Sequence, residues 1–266
     1  MAALEAEGEG RGLTGGPCAM NESTRNSMPR DHMSLRTSAI LTACVGGAHA
    51  VLFLLALWLL AQVPGPTDSN EEIVAYYTSS EKRLSTLLGL YVMPFAGIAF
   101  MWFIVALRMW IAAVGRREDA LLSNIQLVSG ILYIGLLMTA AAANSVVAAS
   151  VEFEDGEIDP VWARLLPQYG NTLLVVFALR MGGTFVIVTS RLVLTSTLLP
   201  RWFGYAGLVA GVAMLLTATL NVWLAIMFPT WMLLLSVLLL NRARQIPSNK
   251  GMPEPIAFDE PRPSGY

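Results

Sequence analysis

The chain has 266 residues, of which 55% are hydrophobic and only 14% are charged. The charged share is about half that of an ordinary soluble domain, so the composition favours a membrane protein. The formal net charge of −2 offers no bulk attraction to nucleic acid or to an anionic lipid surface. We therefore expect the lipid bilayer to be the main surrounding of this protein and expect no nucleic-acid partner.

Six apolar segments follow one another along the chain, and each is interpreted as a helix that crosses the bilayer. A hydrocarbon core of about 30 Å takes about 20 helical residues, and the segments lie at 39–62, 86–108, 124–149, 171–190, 203–223 and 227–241. The sixth is the shortest, and the few residues around Pro229 that join it to the fifth predict a tight antiparallel hairpin. We predict an all-α fold, a polytopic membrane bundle of six transmembrane helices.

Basic residues are sorted by the alternation of these segments. One side of the membrane receives thirteen of the seventeen Lys and Arg residues: Arg11, Arg25, Arg30, Arg36, Arg108, Arg116, Arg117, Arg191, Arg201, Arg242, Arg244, Lys250 and Arg262. The other side receives only Lys82, Arg83 and Arg164, and Arg180 lies within a span. Because cytoplasmic loops carry an excess of Lys and Arg, the pattern predicts that both termini are cytoplasmic.

Two polar tails flank the predicted membrane domain at 38–245. Residues 1–37 are rich in Gly, Glu, Ser and Asn and lack periodic apolar positions, which is typical of a disordered segment. Residues 246–266 contain five prolines, a density that excludes a helix. The sequence therefore predicts a disordered cytoplasmic tail on either side of one membrane domain.

The first loop on the non-cytoplasmic side carries helix-start signals. Ser69 and Glu72 have the spacing of a capping box, so we predict a short interfacial helix from this point. Thr78 and Glu81 have the same spacing, and we expect this second box to open the second span.

The second loop on that side holds five acidic residues between positions 152 and 159. The Asp155-Gly156 pair between short alternating runs predicts a β-hairpin. Crowded carboxylates could hold a divalent cation, but their spacing differs from that of a calcium-binding loop. A solvated acidic loop is the favoured interpretation.

Small and amphipathic residues predict where the helices meet each other and the membrane surface. Rows of small residues allow close backbone approach in lipid and occur at Thr42, Gly46 and Ala50, at Ala140 to Ala143, and at Gly204, Gly207 and Gly211. Tryptophans are expected at the interfaces, with Trp58, Trp223 and Trp231 on the non-cytoplasmic side and Trp110 and Trp202 on the cytoplasmic side. Interhelical hydrogen bonds are expected from Asn144, Asn221, Thr217 and Thr219.

Arg180 is the one charged residue placed well inside a predicted span, at a depth where an arginine costs several kcal/mol. Thr184 and Arg191 fall on nearly the same helical face, and His49 in the first span reaches a similar depth. These four residues form a candidate polar stripe that would bind an anion or a lipid headgroup. Two alternatives stay open: Arg180 locks the bundle through backbone carbonyls, or the fourth span is shifted so that Arg191 is central.

The absence of reactive patterns in the sequence argues against catalysis. No Asp or Glu lies in any predicted span, and no phosphate loop, metal-binding motif or nucleophile–base arrangement is present. We expect no cofactor and no metal. The first hypothesis is a non-enzymatic accessory or scaffold protein of the cell envelope, acting on a membrane-protein partner or as a homo-oligomer. The alternative is a carrier or binder of an anionic small molecule or anionic lipid through Arg180.

Four short stretches resemble an uncharacterised family of multi-pass membrane proteins that is common in actinobacteria. They read EIVAYY at 72–77, FIVALR at 103–108, LPRWFGY at 199–205 and FPTW at 228–231, and the resemblance covers roughly 38–245. It implies a location in the bacterial plasma membrane. It implies no activity, cofactor or catalytic residue.

Overall fold

The computed structural model describes residues 35–114, 120–196, 199–217, 219 and 221–245, and every regular element among them is helical. The elements are α1 (Leu35–Leu60), α2 (Asn70–Thr78), α3 (Ser80–Val114), α4 (Ala120–Glu154), α5 (Pro160–Thr172), a π-helix (Leu173–Ala178), α6 (Leu179–Ser196), α7 (Arg201–Leu216), a 3-10 helix (Val222–Ile226) and α8 (Met227–Gln245). The predicted all-α fold is confirmed for these residues. The first helix begins inside the segment 1–37, while most of that tail and all of 246–266 lie outside the described residues.

Within the described part of the chain, five helical stretches are long and apolar enough to cross a membrane: Ala39–Leu60, Ser80–Ile111, Ala120–Glu154, Pro160–Thr195 and Trp223–Gln245. The sixth apolar helix, α7, has only 16 residues. The fifth predicted span is therefore the short one, and the sixth is longer than its sequence pattern indicated. The helix α7 ends at Leu216 because the backbone turns extended at Thr217, whose hydroxyl donates back to the carbonyl oxygen of Ala213.

The expected hairpin around Pro229 is wrong. Pro229 lies in the first turn of α8, where a helix tolerates a residue without a backbone N–H. The two helices are instead separated by a segment in which the described residues 217, 219 and 221 are non-helical, and by the 3-10 helix. Their main neighbours also differ, since α7 packs on α6 and α8 packs on α1.

Aromatic side chains fill the centre of the bundle, between α1, α3, α4, α6 and α8. Phe100 lies within 5.5 Å, centroid to centroid, of Tyr133, Phe185 and Phe228, and all four rings are buried. Aromatic pairs in such tilted and edge-on arrangements add to the stabilisation from burial alone. This cluster fixes the helices around which the remaining spans pack.

A smaller cluster, which we call the cap, joins α2 and α5 to the ends of α3 and α4. It buries Ile73, Tyr76, Tyr77, Leu87, Val147, Ala148 and Ala163. The predicted capping box is confirmed, because the Ser69 hydroxyl accepts from the Glu72 N–H and the Glu72 carboxylate accepts from the Ser69 N–H. The second predicted box is wrong: Thr78 ends α2, with its hydroxyl bonded to the Val74 carbonyl oxygen over 2.8 Å.

The acidic segment does not form a β-hairpin. The helix α4 continues to Glu154, and Asp155 then adopts a φ of 49°, a left-handed conformation that ends the helix. The N–H of Gly156 donates to the Ser150 carbonyl oxygen over 3.1 Å, and Asp159 caps α5 by accepting from Val161 N–H. The Asp-Gly pair thus serves as a helix terminus.

Small residues mark the helix contacts, as predicted. A Cβ atom at Gly211 would lie 2.9 Å from the carbonyl oxygen of Gly183, so glycine is needed where α7 meets α6. A Cβ atom at Gly46 would lie 2.7 Å from the Phe103 ring, which joins α1 to α3. Of the five tryptophans predicted at the interfaces, Trp58, Trp202 and Trp223 are exposed, whereas Trp110 and Trp231 are buried in the bundle.

Candidate functional site

Arg180 lies at the second position of α6, directly after the π-helix, and its side chain is half-buried. A guanidinium nitrogen donates to the carbonyl oxygen of Val176, which belongs to that π-helix. The Thr184 hydroxyl donates to the Arg180 carbonyl oxygen over 3.0 Å. Both hydrogen bonds stay within one continuous helical stretch, so they orient Arg180 and Thr184 without tying them to another helix.

The other two residues of the predicted stripe lie in different surroundings. Arg191 is exposed on α6. His49 is fully buried on α1, where Nδ1 donates to the Ala96 carbonyl oxygen over 2.8 Å and the ring lies 4.7 Å from that of Phe100. The structure therefore links Arg180 and Thr184 along one helix, while His49 joins α1 to α3 inside the aromatic cluster.

A cavity of about 340 Å3 lies elsewhere, where the end of α1 approaches α4 and α5. Its apolar wall is formed by the side chains of Leu57, Leu60, Met93, Leu137 and Leu174. Four amide side chains also line the cavity: Asn144, Gln168, Asn171 and Asn221. None of the described residues that line this cavity is charged. The volume lies near the lower end of the range for small-molecule sites, and the mixture of apolar wall and few polar groups is typical of them.

The amides offer both donors and acceptors to the cavity. Asn144 is only 6% exposed and donates to the Ala140 carbonyl oxygen over 2.9 Å, which leaves its own oxygen to accept. Asn221 accepts from the Trp223 N–H over 3.1 Å, which leaves its amide nitrogen to donate. Among the described residues, the half-buried side chains of Gln168 and Asn171 have no hydrogen-bond partner.

These bonds correct one expectation from the sequence. Asn144 and Thr217 bond to carbonyl groups of their own helices, Asn221 accepts from the next turn, and Thr219 accepts from the Asn221 N–H. The predicted interhelical hydrogen bonds are therefore replaced by local ones. The remaining polar atoms of Asn144 and Asn221, which both line the cavity, are left for it.

Breaks in regular helix geometry surround the cavity. Leu174 belongs to the π-helix, a form that occurs frequently at functional sites. Asn221 follows the extended backbone after α7, and non-helical backbone in a membrane protein is tolerated where protein or a cavity covers it. A Cβ atom at Gly170 would lie 2.7 Å from the Ala140 carbonyl oxygen, so glycine lets α5 approach α4 beside Asn144.

The rim of the cavity is formed by residues 63–66 after α1. The Gly65 N–H donates to the Asp68 carboxylate over 2.9 Å. Arg164 on α5 donates to the Asp68 carbonyl oxygen over 2.7 Å and to the Asn70 side-chain oxygen over 3.0 Å. The rim is thus held by a charged side chain that is not itself among the lining residues.

Part of this site was visible in the sequence. Asn144 and Asn221 stand out as polar residues near the ends of apolar segments, but Gln168 precedes the predicted fourth span and Asn171 is its first residue, so both look like boundary residues. Only the extension of that span back to Pro160 brings all four amides together. Among the described residues, no group of three or more His, Cys, Asp or Glu side chains could hold a metal ion.

No protein-family model, curated protein or solved structure significantly matches this chain. The resemblance to the actinobacterial membrane family therefore stays a prediction from the four short stretches.

Proposed function

We propose that this protein is a non-enzymatic, multi-pass protein of the bacterial plasma membrane that binds a small amphipathic molecule. The observation that carries the proposal is the cavity in which four amide side chains face an apolar wall. The amides suit the polar end of such a molecule, and the leucine side chains suit its apolar part. The proposal includes six membrane spans, with α7 as the fifth, and cytoplasmic termini.

Binding is better supported than the scaffold role that the small-residue rows favoured. Gly46 and Gly211 are already covered by other parts of the same chain, by Phe103 and by α6 respectively. These rows are therefore not available to a partner. An accessory role in the envelope is compatible with a bound small molecule but has no described surface of its own.

Native mass spectrometry of the protein in a mild detergent tests this function. Ala61 is exposed at the cavity, so Ala61→Trp should fill the space without disturbing the core. We expect wild type to retain a small-molecule adduct and Ala61→Trp to lose it. Ala48→Trp is the matched control, because Ala48 is exposed on α1 and is not a lining residue. Equal adducts in all three proteins would refute the proposed function.

A second candidate is an anion site at Arg180. An arginine has five N–H donors, and among the described residues the Arg180 guanidinium has one protein partner, the Val176 carbonyl oxygen. Its remaining donors suit a phosphate or carboxylate group. This site lacks a described cavity, so we rank it below the amide-lined one.

A further inference from the structure

We propose that the cavity selects an uncharged ligand whose polar end carries hydroxyl groups and whose other end is an apolar chain. This inference rests on the proposed binding function and adds the chemical class of the ligand. It concerns recognition by Gln168, Asn171, Asn144 and Asn221, not by the Arg180 site.

The ligand is inferred to be uncharged because no charged side chain is found among the described lining residues. Arg164 lies outside the lining, and one of its guanidinium nitrogens donates to the Asp68 carbonyl oxygen and to the Asn70 side-chain oxygen. A charged group that left water for this cavity would lose hydration without gaining an ion pair. An uncharged polar group meets a much smaller cost, which four amides can offset.

The hydroxyl chemistry follows from the mixture of donors and acceptors. Asn144 presents an oxygen, Asn221 presents an NH2 group, and Gln168 and Asn171 each present both. A hydroxyl group donates one hydrogen bond and accepts others, so several hydroxyls on one small group can satisfy all these atoms. A carbonyl group could use only the donors, and an ammonium group could use only the acceptors.

The apolar chain follows from the position of the leucine side chains. The same space as the amides is lined by Leu57, Leu60 and Leu137. A purely polar ligand would leave these leucine side chains in contact with water or with polar atoms. Burial of a hydrocarbon chain there removes apolar surface from water on both molecules. A sugar or glycerol group with an attached alkyl chain has the required chemistry.

Thermal unfolding in phosphatidylcholine nanodiscs tests this selection with four probes that separate headgroup from chain. The probes are octyl glucoside below its micellar concentration, octyl sulfate, octyltrimethylammonium and free glucose. We expect octyl glucoside alone to raise the unfolding temperature in a saturable way. The absence of an effect from glucose would show that the chain is required, whereas equal stabilisation by glucose would overturn the chain requirement.

Two variants tie the effect to the amides. Asn171→Leu should weaken the response to octyl glucoside by roughly tenfold, because a hydroxyl partner is lost. Asn124→Leu is the control, since Asn124 is exposed on α4 away from the cavity, and it should leave the response unchanged. An equal response in Asn171→Leu and wild type would overturn the proposal.

The outcome separates this inference from the proposed function. Stabilisation by octyl sulfate or octyltrimethylammonium that Ala61→Trp abolishes would keep the cavity as a binding site and refute an uncharged ligand. No stabilisation by any probe, together with an adduct that Ala61→Trp does not remove, would refute both. Stabilisation by octyl glucoside that survives Ala61→Trp would place that ligand elsewhere and overturn the assignment.

Discussion

Tyr76 and Tyr77 are neighbours in α2, and their buried hydroxyl groups differ in whether they have a hydrogen-bond partner. The Tyr76 hydroxyl pairs with the Thr86 hydroxyl over 2.9 Å, whereas the Tyr77 hydroxyl has no partner among the described residues. Burial raises the pKa of both side chains, because the charged phenolate would lose its hydration. Both hydroxyls therefore stay protonated at neutral pH. Only the Tyr76 hydroxyl has a hydrogen bond within the described part of the protein that replaces its bonds to water.

The two tyrosines should respond differently to removal of the hydroxyl. Tyr76→Phe should lower the free energy of unfolding by about 1 kcal/mol, since a buried hydrogen bond is lost. Tyr77→Phe should leave stability unchanged or raise it, because an unpaired buried polar group is removed. Denaturant unfolding in detergent micelles measures both variants, and a larger loss in Tyr77→Phe would contradict the packing of the cap.

Arg180 offers a test between structural and anion-binding roles. If it binds an anion, Arg180→Gln should lose stabilisation by anionic lipid, while Arg180→Lys should keep part of it because the charge remains. If Arg180 only orients the helix through Val176, both variants should lose roughly 1–3 kcal/mol regardless of lipid. Melting curves with and without phosphatidylglycerol separate the two results.

At the level of elements, the contact of α6 with α7 depends on glycine. A Cβ atom at Gly211 would lie 2.9 Å from a carbonyl oxygen of α6, whereas one at the exposed Gly135 on α4 would meet nothing within 4 Å. Gly211→Ala should therefore cost about 1–3 kcal/mol through overpacking, and Gly135→Ala should be neutral or slightly stabilising. Unfolding measurements in one detergent compare them directly, and equal effects would contradict the close approach of the two helices.

Features that depend on a few neighbouring residues were predictable from the sequence when the local pattern fits only one kind of structure. The capping box at Ser69 needs only its own turn, and it formed as expected. The pair Asp155-Gly156 suits both a hairpin turn and a helix end, because both use a positive φ. The continuation of α4 to Glu154 decided between them, and that continuation depends on packing against α5 rather than on local preference.

The cavity could not be predicted from the sequence, because it is formed by residues that lie far apart along the chain. Its amides come from α4, α5 and the segment before the 3-10 helix, and nothing in their spacing shows that they converge. Apolar periodicity located the spans but not their ends. The fourth began earlier than predicted, at Pro160, and the fifth ended earlier, at Leu216.

For the whole molecule, the proposed topology predicts the side of each connection. Reporter fusions at Gly115 and at the C-terminus should report a cytoplasmic location, and fusions at Gly65 and Gly156 should report the opposite side. An enzyme reporter that is active only outside the cytoplasm, paired with one active only inside, gives complementary readings. A non-cytoplasmic Gly115 would overturn the arrangement.

The shortness of α7 has a consequence for the surrounding lipid. Sixteen helical residues extend about 24 Å at 1.5 Å per residue, several ångströms less than a typical hydrocarbon core of about 30 Å. In the proposed topology, lipids beside α7 must shorten or compress to match it, at a modest cost for each ångström of mismatch. The cavity residue Asn221 follows this helix closely, so the thinned region brings the headgroup layer towards the cavity. Bilayers with shorter acyl chains should therefore both stabilise the protein and shorten the path of the amphipathic ligand from the headgroup layer to the cavity.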